Sequence, residues 1–528
     1  MRPSCHPIMN LTTRLILLLV LAIKFPLADA HGNELAPGDR LISPIAVEVA
    51  GERVEEAESY PWLALSVAEE PGEEQATTSP SPADSQETPD EESFAERFKK
   101  LEEQLESLRE SHEELQAGQD RLVTSGHSES KLTVYGRIHA DLWGFPGDSP
   151  AINGFETGDN DIDPADRLGF RRLRIGVQGE VWKNMIYRIE TEMANGNDFE
   201  FRDAYLGFKE VPILQEVQIG NQKRPYNLDQ INSSRYNVFM ERPFIGDSFE
   251  EEVRRFGICS YGVSDDQAWN WRYGWFNLRN IQDEGNYISD HWQSEFVGRL
   301  ANTFWYDEAC DGRDYGHWAI SGAIADLDPH AVTENYAGSG LSEGRFRSRP
   351  EGRSENRWLD TGIISGADHY YLLGFEGLVN VGPTQLVAEN MQAWVIRNAA
   401  ENVHFQGSYF YWSYFLTGEY MAWDRETGQL DRVNIRRPLF CRNDGDTRPG
   451  WGAWQVAVRW SYADFNDADI FGGIGEAWTL GLNWYWNDAA KMQFNYIHGR
   501  IDDNRVLAVG GHDSWSYDIV GTRFLIDF

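Results

Sequence analysis

Cysteine, basic residues and long hydrophobic runs are all scarce in this sequence. The chain has 4 cysteines in 528 residues, so a framework of several disulfides is excluded. Lysine and arginine number 47 against 84 aspartates and glutamates, and the formal net charge is −37. Such acidity argues against nucleic-acid binding, which needs a basic surface to neutralise phosphates. After residue 30 no run of about 18 apolar residues occurs, so a helical membrane protein is excluded.

Glycine and aromatic residues are abundant instead. The sequence holds 49 Gly, 20 Trp, 22 Tyr and 27 Phe, and hydrophobic residues make up 41% of it, enough to bury a core. Its mean hydropathy is nevertheless low, at −0.52. Low hydropathy with many aromatic residues still permits one membrane class, the β-barrel, because its strands are apolar on only one face.

The N-terminus has the features of an export signal. Arg2 and Arg14 supply positive charge, Leu15 to Ile23 form an apolar run, and Ala28-Asp29-Ala30 offers small residues for cleavage. The alternative, a membrane anchor, is weaker because the apolar run is too short to span a bilayer. We therefore predict that residues 1–30 are a cleaved signal peptide.

Cleavage would leave Cys259, Cys310 and Cys441. Three is an odd number, so at most one disulfide can form, and Cys310 and Cys441 could pair because both lie in turn-like stretches. The cysteine spacings fit no metal site, and the 12 histidines form no H-x-x-x-H pair. We expect neither a metal nor another cofactor.

Two different segments follow the signal. Residues 31–93 read as an acidic, Pro/Ser-rich linker that is largely disordered, since it has too few apolar residues to offset the entropy of ordering. Residues 94–124 carry a heptad pattern from Phe98 to Leu122, with polar residues at His112 and Gln119. This pattern predicts a short self-associating coiled coil and hence an oligomer; the alternative is a single amphipathic helix packed on its own domain.

From Lys131 to the end, apolar and polar residues alternate with a period of two. Leu132 to Leu142 and Trp478 to Trp486 show the pattern most clearly. Alternation of this kind predicts β-strands that are apolar on one face. A soluble β-sandwich would give the same pattern with its apolar face inward, so the alternation alone does not separate the two.

Three further features favour a membrane barrel. Trp and Tyr cluster at the strand ends, as in the aromatic girdles of outer-membrane barrels. Short turns such as Asn487-Asp488 alternate with long polar loops such as residues 326–360. The chain ends inside a strand, with Phe524, Ile526 and Phe528 on one face.

The size of this region sets the number of strands. Residues 131–528 give about 25 residues per strand for a barrel of 16. A barrel of that size encloses an aqueous channel rather than a filled interior. The predicted fold is therefore all-β, a transmembrane antiparallel β-barrel of about 16 strands, preceded by a short α-helical coiled coil. On the residues alone, its function is that of a pore.

Five sequence blocks also resemble a known family, the phosphate-selective porins O and P. The blocks are Phe170–Gly179, Tyr187–Glu190, Phe201–Gly207, Ile219–Tyr226 and Ser233–Arg242. The resemblance implies a homotrimer of 16-stranded barrels in the bacterial outer membrane, with the N-terminal region in the periplasm. It further implies that small anions such as phosphate or polyphosphate pass through each barrel.

An anion pore needs fixed donors on its wall, and arginine suits this role because it keeps its charge and presents a planar fork to phosphate oxygens. Strand alternation places Arg172 and Arg174 on one polar face, and Arg137 and Arg188 also fall on polar faces. The alternative for each arginine is a surface position paired with a neighbouring carboxylate.

The resemblance can be carried over residue by residue. It places the family's anion site at Arg171, Arg172, Asp203, Ser233 and Ser234. Gln230 stands where the family pattern has a lysine, and Lys223 and Arg235 are the nearest basic residues that could replace it. Alternation puts Arg171 and Arg172 on opposite faces, so both can reach the lumen only through a bulge or a strand end.

The complete prediction is an outer-membrane porin, not an enzyme, for passive uptake of small solutes, with anions favoured. Its expected partners are small anionic solutes, outer-membrane lipid and two further copies of the chain, and no nucleic acid. Residues 131–528 contain 37 basic and 58 acidic residues, which weakens long-range attraction of anions. Two other functions stay open: a structural anchor between membrane and cell wall, and a barrel enzyme, for which no nucleophile–base pair can be identified.

Overall fold

The structure, a computed structural model, describes residues 130–146, 150–194, 199–249, 253–281, 293–327, 344–398, 400–439, 450–502 and 514–528. The predicted signal peptide, linker and coiled coil lie outside these residues. So does Cys441. Cys310 is disulfide-bonded and Cys259 is free and buried, so the pairing of Cys310 with Cys441 stays a prediction.

In the described ranges the chain forms twenty strands, which have these bounds: β1 (Lys131–Gly144), β2 (Arg167–Val181), β3 (Met185–Glu192), β4 (Glu200–Val211), β5 (Gln215–Lys223), β6 (Arg254–Val263), β7 (Trp269–Asn277), β8 (Ser294–Tyr306), β9 (Asp314–Asp326), β10 (Arg347–Ser348), β11 (Leu359–Asp360), β12 (Ala367–Val381), β13 (Thr384–Arg397), β14 (Val403–Phe415), β15 (Ala422–Asp424), β16 (Gln429–Asp431), β17 (Ala453–Asp467), β18 (Ile470–Asn487), β19 (Ala490–Asp502) and β20 (Ser514–Asp527). Three short helices are α1 (Pro150–Thr157), α2 (Leu228–Ile231) and α3 (Phe244–Ser248), and a 3-10 turn spans Glu308–Cys310. None of the helices in this part of the chain has the length and hydropathy to cross a bilayer.

Sixteen of the strands form one closed antiparallel barrel, which confirms the predicted all-β barrel and its number of strands. Each barrel strand pairs with its neighbour along the chain, while β10–β11 and β15–β16 are separate two-stranded hairpins. The last strand closes the barrel against the first, with Ile138 opposite Ile526. The Phe528 carbonyl accepts a hydrogen bond from the Gly136 amide, so the terminal residue is tied to the wall.

The alternating pattern sorts side chains between the two faces as the sequence predicts. On β18, Trp478 and Leu480 face outward and are 51% and 53% exposed, whereas Thr479 between them is fully buried inside. On β1, Val134 faces outward while Arg137 and His139 are buried inside. The outer apolar face suits hydrocarbon and the inner polar face suits water.

The two ends of the barrel differ in the length of their connections. The turn end, which holds Lys131 and Phe528, has short links such as residues 182–184 and 382–383. The loop end has long links such as residues 145–166 and 327–366. This asymmetry is the one predicted from sequence. One connection departs from it, because residues 416–452 form a long segment at the turn end.

Three segments fold into the barrel and narrow it. We call residues 224–249 the inner loop, residues 344–366 the loop-end arm and residues 416–439 the turn-end hairpin. The inner loop packs on the β14–β17 side, where Phe249 meets Phe465 edge-on at 5.6 Å. In the turn-end hairpin, Trp423 stacks on Tyr315 of β9 with ring centroids 5.4 Å apart. The remaining space lies against the first strands of the barrel.

Candidate functional site

A cavity of about 1020 Å³ runs along the wall formed by β1–β7. Its lining includes Glu200 and Phe201 at the loop end of β4 and Glu210 and Val211 at the turn end of the same strand. The cavity therefore follows β4 over its whole length and connects the two ends of the barrel.

The lining carries a surplus of positive charge in an otherwise acidic chain. Fourteen basic and eight acidic side chains line the cavity, a surplus of six, although the whole chain has a formal net charge of −37. The basic side chains are Arg137, Arg171, Arg172, Arg174, Arg188, Arg202, Lys209, Lys223, Arg242, Arg254, Arg272, Arg349, Arg353 and Arg357. The side chains that line the cavity thus carry a net charge opposite in sign to that of the protein, and buried Glu190 and Glu192 behind them offset part of it by pairing with Arg137 and Arg174.

All ten residues predicted to bind anions or line the pore lie around this one cavity, whereas Arg235, the other possible substitute for the missing lysine, is outside the lining and pairs with Asp527 at 3.1 Å. The ten residues are Arg137, Arg171, Arg172, Arg174, Arg188, Asp203, Lys223, Gln230, Ser233 and Ser234. The first seven come from β1–β5 and the last three from the inner loop. Their role in binding anions stays a prediction.

A bulge brings both Arg171 and Arg172 to the lumen. In the pairing of β1 with β2, His139 lies opposite Arg172 and Ala140 lies opposite Phe170, so Arg171 is an extra residue in β2. The guanidinium of Arg171 binds both oxygens of Glu241, at 2.9 and 3.1 Å. This is the bulge that the sequence analysis expected if both Arg171 and Arg172 were to reach the lumen.

The buried side chain of Glu190 holds two of the arginines that line the lumen, Arg137 and Arg174. Its fully buried carboxylate accepts hydrogen bonds from Arg137 at 2.8 Å and from Arg174 at 3.1 Å, and Arg188 lies at 3.6 Å. Charge-assisted bonds of this kind hold the planar guanidinium groups in place. The sequence analysis missed this role, although Glu190 shares its strand face with Arg188 and could have been found by that parity.

Asp203 is engaged by cations of the wall itself. Arg254 binds its two oxygens at 2.6 and 3.3 Å, and the Nε of Arg188 lies 3.4 Å away. Asp203 therefore orients arginines in the described structure, and its part in the anion site that the resemblance implies stays a prediction. Arg254, at the start of β6, was not identified from the sequence.

The serine pair lies beside Arg137 and Lys223. Arg137 donates to the Ser234 hydroxyl at 2.9 Å and to the Ser233 hydroxyl at 3.5 Å. Lys223 donates to the main-chain carbonyls of Gln230, Ile231 and Asn232, at 2.8, 3.0 and 2.9 Å, where α2 ends. An ammonium group has three donors, so these carbonyls use all of them.

Three other arginines lack an acidic partner. In the described residues, no carboxylate lies within 4.0 Å of the guanidinium groups of Arg172, Arg349 or Arg353, although the lumen is rich in ion pairs. Over the same ranges, the one hydrogen-bond contact of the Arg172 guanidinium is with the ring nitrogen Nδ1 of His139, at 3.3 Å. No direct ion pair within the described part of the chain therefore neutralises these three charges, and their contact with a solute stays a prediction.

The loop-end arm adds to this positive region. The nearby positive charge of Arg171, together with burial and Arg349, lowers the pKa of Arg353 to about 9. On the inner loop, burial would raise the pKa of Glu241, but Arg171 and Arg523 outweigh it and hold that pKa well below its usual range. Repulsion among the arginines would be relieved by an anion between them.

Several known proteins are similar to this chain over most of its length. The family model described as phosphate-selective porin O and P matches residues 133–528. Porin O of Pseudomonas aeruginosa is 22% identical over 422 residues, which cover 72% of this chain and 85% of Porin O. An uncharacterized protein of Caulobacter vibrioides is 26% identical over 371 residues, covering 68% of each chain. Among solved structures, the trimer form of the outer-membrane protein OmpT of Vibrio cholerae aligns with a TM-score of 0.44 and 11% identity, covering 76% of this chain and 99% of OmpT.

Proposed function

The chain belongs to the phosphate-selective porin O and P family, and from that membership we propose that its lumen selects small anions. It is a porin of the bacterial outer membrane, where it forms a water-filled channel. Family membership favours a channel over the enzyme and anchor alternatives. The selectivity proposal rests mainly on one observation, the surplus of six basic side chains around the cavity.

Fixed charge on this scale is enough to sort ions. The screening length in 0.1 M salt is about 10 Å, comparable with the radius of a porin channel, so wall charges reach the centre of the water column. Arginine keeps its charge at any physiological pH and is less strongly hydrated than lysine, which suits brief contacts with passing anions. Arg172 and Arg353 are the strongest candidates for such contacts because no carboxylate neutralises them.

We further propose that phosphate is only weakly preferred over chloride. Gln230 offers an amide where the family pattern has a lysine, and the three donors of Lys223 are used by main-chain carbonyls. A phosphate at Ser233 and Ser234 would therefore meet hydroxyl groups and Arg137, with one charge-assisted hydrogen bond fewer. Such a bond contributes about 1.5–3 kcal/mol, or about tenfold or more in affinity.

Block of chloride current by inorganic phosphate tests this proposal in planar bilayers. Gln230→Lys should lower the half-blocking phosphate concentration by about tenfold or more, whereas Gln230→Leu, which removes the amide without adding charge, should not lower it. The proposal of weak preference is wrong if the unmodified porin is already blocked at micromolar phosphate.

We also propose that the porin is a homotrimer. The family resemblance implies this assembly, and the heptads from Phe98 to Leu122 would strengthen it through a three-stranded coiled coil. Deletion of residues 31–122 should leave a trimer that dissociates at a lower temperature in detergent. Native mass measurement of the full chain checks the assembly, and a monomer as its sole species would contradict it.

A further inference from the structure

The charges that line the lumen are unevenly distributed along its axis. We define the turn-end zone by five charged lining residues, Lys209, Glu210, Glu216, Arg272 and Glu426, which lie on the turn-end halves of β4, β5 and β7 and on the turn-end hairpin. The rest of the lining, which we call the arginine zone, contains twelve basic and five acidic side chains. The surplus of positive charge therefore belongs to the arginine zone alone.

Both basic residues of the turn-end zone have partners. Lys209 binds Glu180 with 2.5 Å between Nζ and Oε1. Arg272 donates to the main-chain carbonyl of Thr427 in the turn-end hairpin. These contacts therefore reduce the ability of Lys209 and Arg272 to attract anions.

None of the three glutamates of the turn-end zone forms a direct ion pair in the described residues, and Lys209 acts on Glu216 and Glu426 only from beyond ion-pair distance. Glu216 and Glu426 accept hydrogen bonds from the neutral amides of Gln218 and Gln267, at 2.6 and 3.1 Å. Over the part of the chain that the structure describes, no basic side chain lies within 4.0 Å of the carboxylates of Glu210, Glu216 or Glu426. These three carboxylates without a basic partner correspond to Arg172, Arg349 and Arg353 in the arginine zone, which have no carboxylate partner within the described ranges.

The two zones extend toward opposite ends of the lumen and approach each other near Arg188, which lies opposite Tyr205 in the middle of β4. Arg202 and Glu210 are eight positions apart on β4, a distance of about 26 Å at ~3.3 Å per residue. The screening length in 0.1 M salt is about 10 Å. An ion in the lumen therefore meets first one sign of wall charge and then the other.

We propose that the lumen is electrically polarised and that Glu210, Glu216 and Glu426 make the channel rectify. The proposal rests on the open lumen and deepens the proposed anion selectivity. A voltage that drives anions from the loop end to the turn end also drives cations the opposite way, so both ions accumulate where the zones meet and the current is high. The reverse voltage empties this junction and the current falls. The three glutamates also limit the anion preference that the arginines create.

Single-channel recording of the full-length porin in planar bilayers tests the polarisation. In symmetric 0.1 M KCl, currents at equal and opposite voltages should differ by about twofold, and in 1 M KCl, where the screening length is about 3 Å, the difference should largely vanish. Each channel is judged by its own ratio, so the direction of insertion does not matter. Equal currents at low salt in the unmodified protein would overturn the proposal without any variant.

The triple variant Glu210→Gln, Glu216→Gln, Glu426→Gln identifies the residues responsible. It should give nearly equal currents at both voltages and a stronger anion preference, whereas Asp265→Asn, which neutralises an exposed turn-end carboxylate outside the lining, should keep the unmodified ratio. A triple variant that rectifies like the unmodified porin would overturn the proposal. The zero-current potential in a salt gradient measures anion selectivity independently of rectification. A failure of the proposed anion selectivity can therefore be distinguished from a failure of the proposed rectification.

Discussion

The wall formed by β1–β7 and the wall formed by β14–β20 both turn arginines into the barrel, but these arginines have different surroundings. On the first wall, Arg172 faces the open lumen and has no carboxylate partner in the described residues. On the second wall, Arg459 binds Glu351 of the loop-end arm at 2.7 Å, and Arg523 binds Glu241 of the inner loop at 2.6 Å. Arg172 therefore carries a charge without an ion pair, whereas Arg459 and Arg523 hold the segments that fold into the barrel. Other arginines of the first wall, such as Arg137 and Arg174, are ion-paired too.

The second wall works as a scaffold for the inner loop. Asn483 donates to the Val238 carbonyl at 2.8 Å, and Lys491 donates to the Asn237 carbonyl at 2.8 Å. These contacts press the inner loop to one side and leave the space beside β1–β7 open. The comparison teaches that the position of the inner loop, rather than the number of arginines, decides which wall meets the solute.

The largest expected effect comes from removing an arginine of the scaffold wall. Arg523→Ala would leave the buried carboxylate of Asp141 and the partly buried carboxylate of Glu241 without this partner, since Arg523 binds them at 2.6 Å each. Loss of one partner of a buried ion pair costs about 3–5 kcal/mol. We expect the urea concentration at the midpoint of unfolding to fall clearly. Tryptophan fluorescence measures this unfolding.

Arg500→Ala is the matched control for this change. Arg500 is 57% exposed on the barrel surface and pairs with Asp502, so its loss should cost no more than about 1 kcal/mol. If Arg523→Ala were as stable as Arg500→Ala, the second wall would not hold the inner loop through this arginine.

A smaller effect is expected at the contact between α1 and the loop-end arm. The Glu156 carboxylate accepts hydrogen bonds from Arg167 at 2.6 Å and from the Trp358 indole at 2.9 Å, and its side chain is almost fully buried. Glu156→Gln keeps the shape but loses the charge, so we expect a loss of about 1.5–3 kcal/mol, the strength of hydrogen bonds to a charged group.

Glu156→Gln should also affect conduction, because the loop-end arm carries Arg349 and Arg353 into the lumen. A loosened arm should raise the single-channel conductance and weaken the anion preference. Glu308→Gln, at a carboxylate whose side chain is 75% exposed, should alter neither property. An unchanged conductance in Glu156→Gln would mean that the arm keeps its place without this contact.

Much of the barrel could be predicted from the sequence because strand alternation is a local property. The alternation of the strand alone predicted that Arg172 and Arg174 point to the same face. Residue type predicted a short turn at Asn487-Asp488, and the structure has it one residue later, at 488–489. The inward position of Arg171 could not be predicted, since a bulge depends on how the neighbouring strand pairs. Parity still showed that such a bulge was needed.

Long-range contacts account for the rest. The pairing of Asp203 with Arg254 joins residues on strands that are distant in the chain, and no local pattern links them. The turn-end hairpin lies in a region with no recognised family block, and its Trp423 is buried by Tyr315 and His317 from β9. A sequence pattern can indicate a strand or a loop, but it does not say which wall a loop packs against.

The most direct test of the account is the zero-current potential of the channel in a KCl gradient. Its central claim is that the unneutralised arginines of the β1–β7 wall and of the loop-end arm make the lumen select anions. The unmodified porin should give a potential of the sign set by chloride, and Arg172→Ala with Arg353→Ala should shift it toward the potassium value without lowering stability. A double variant with the potential of the unmodified porin, or an unmodified porin that already favours potassium, would contradict the claim.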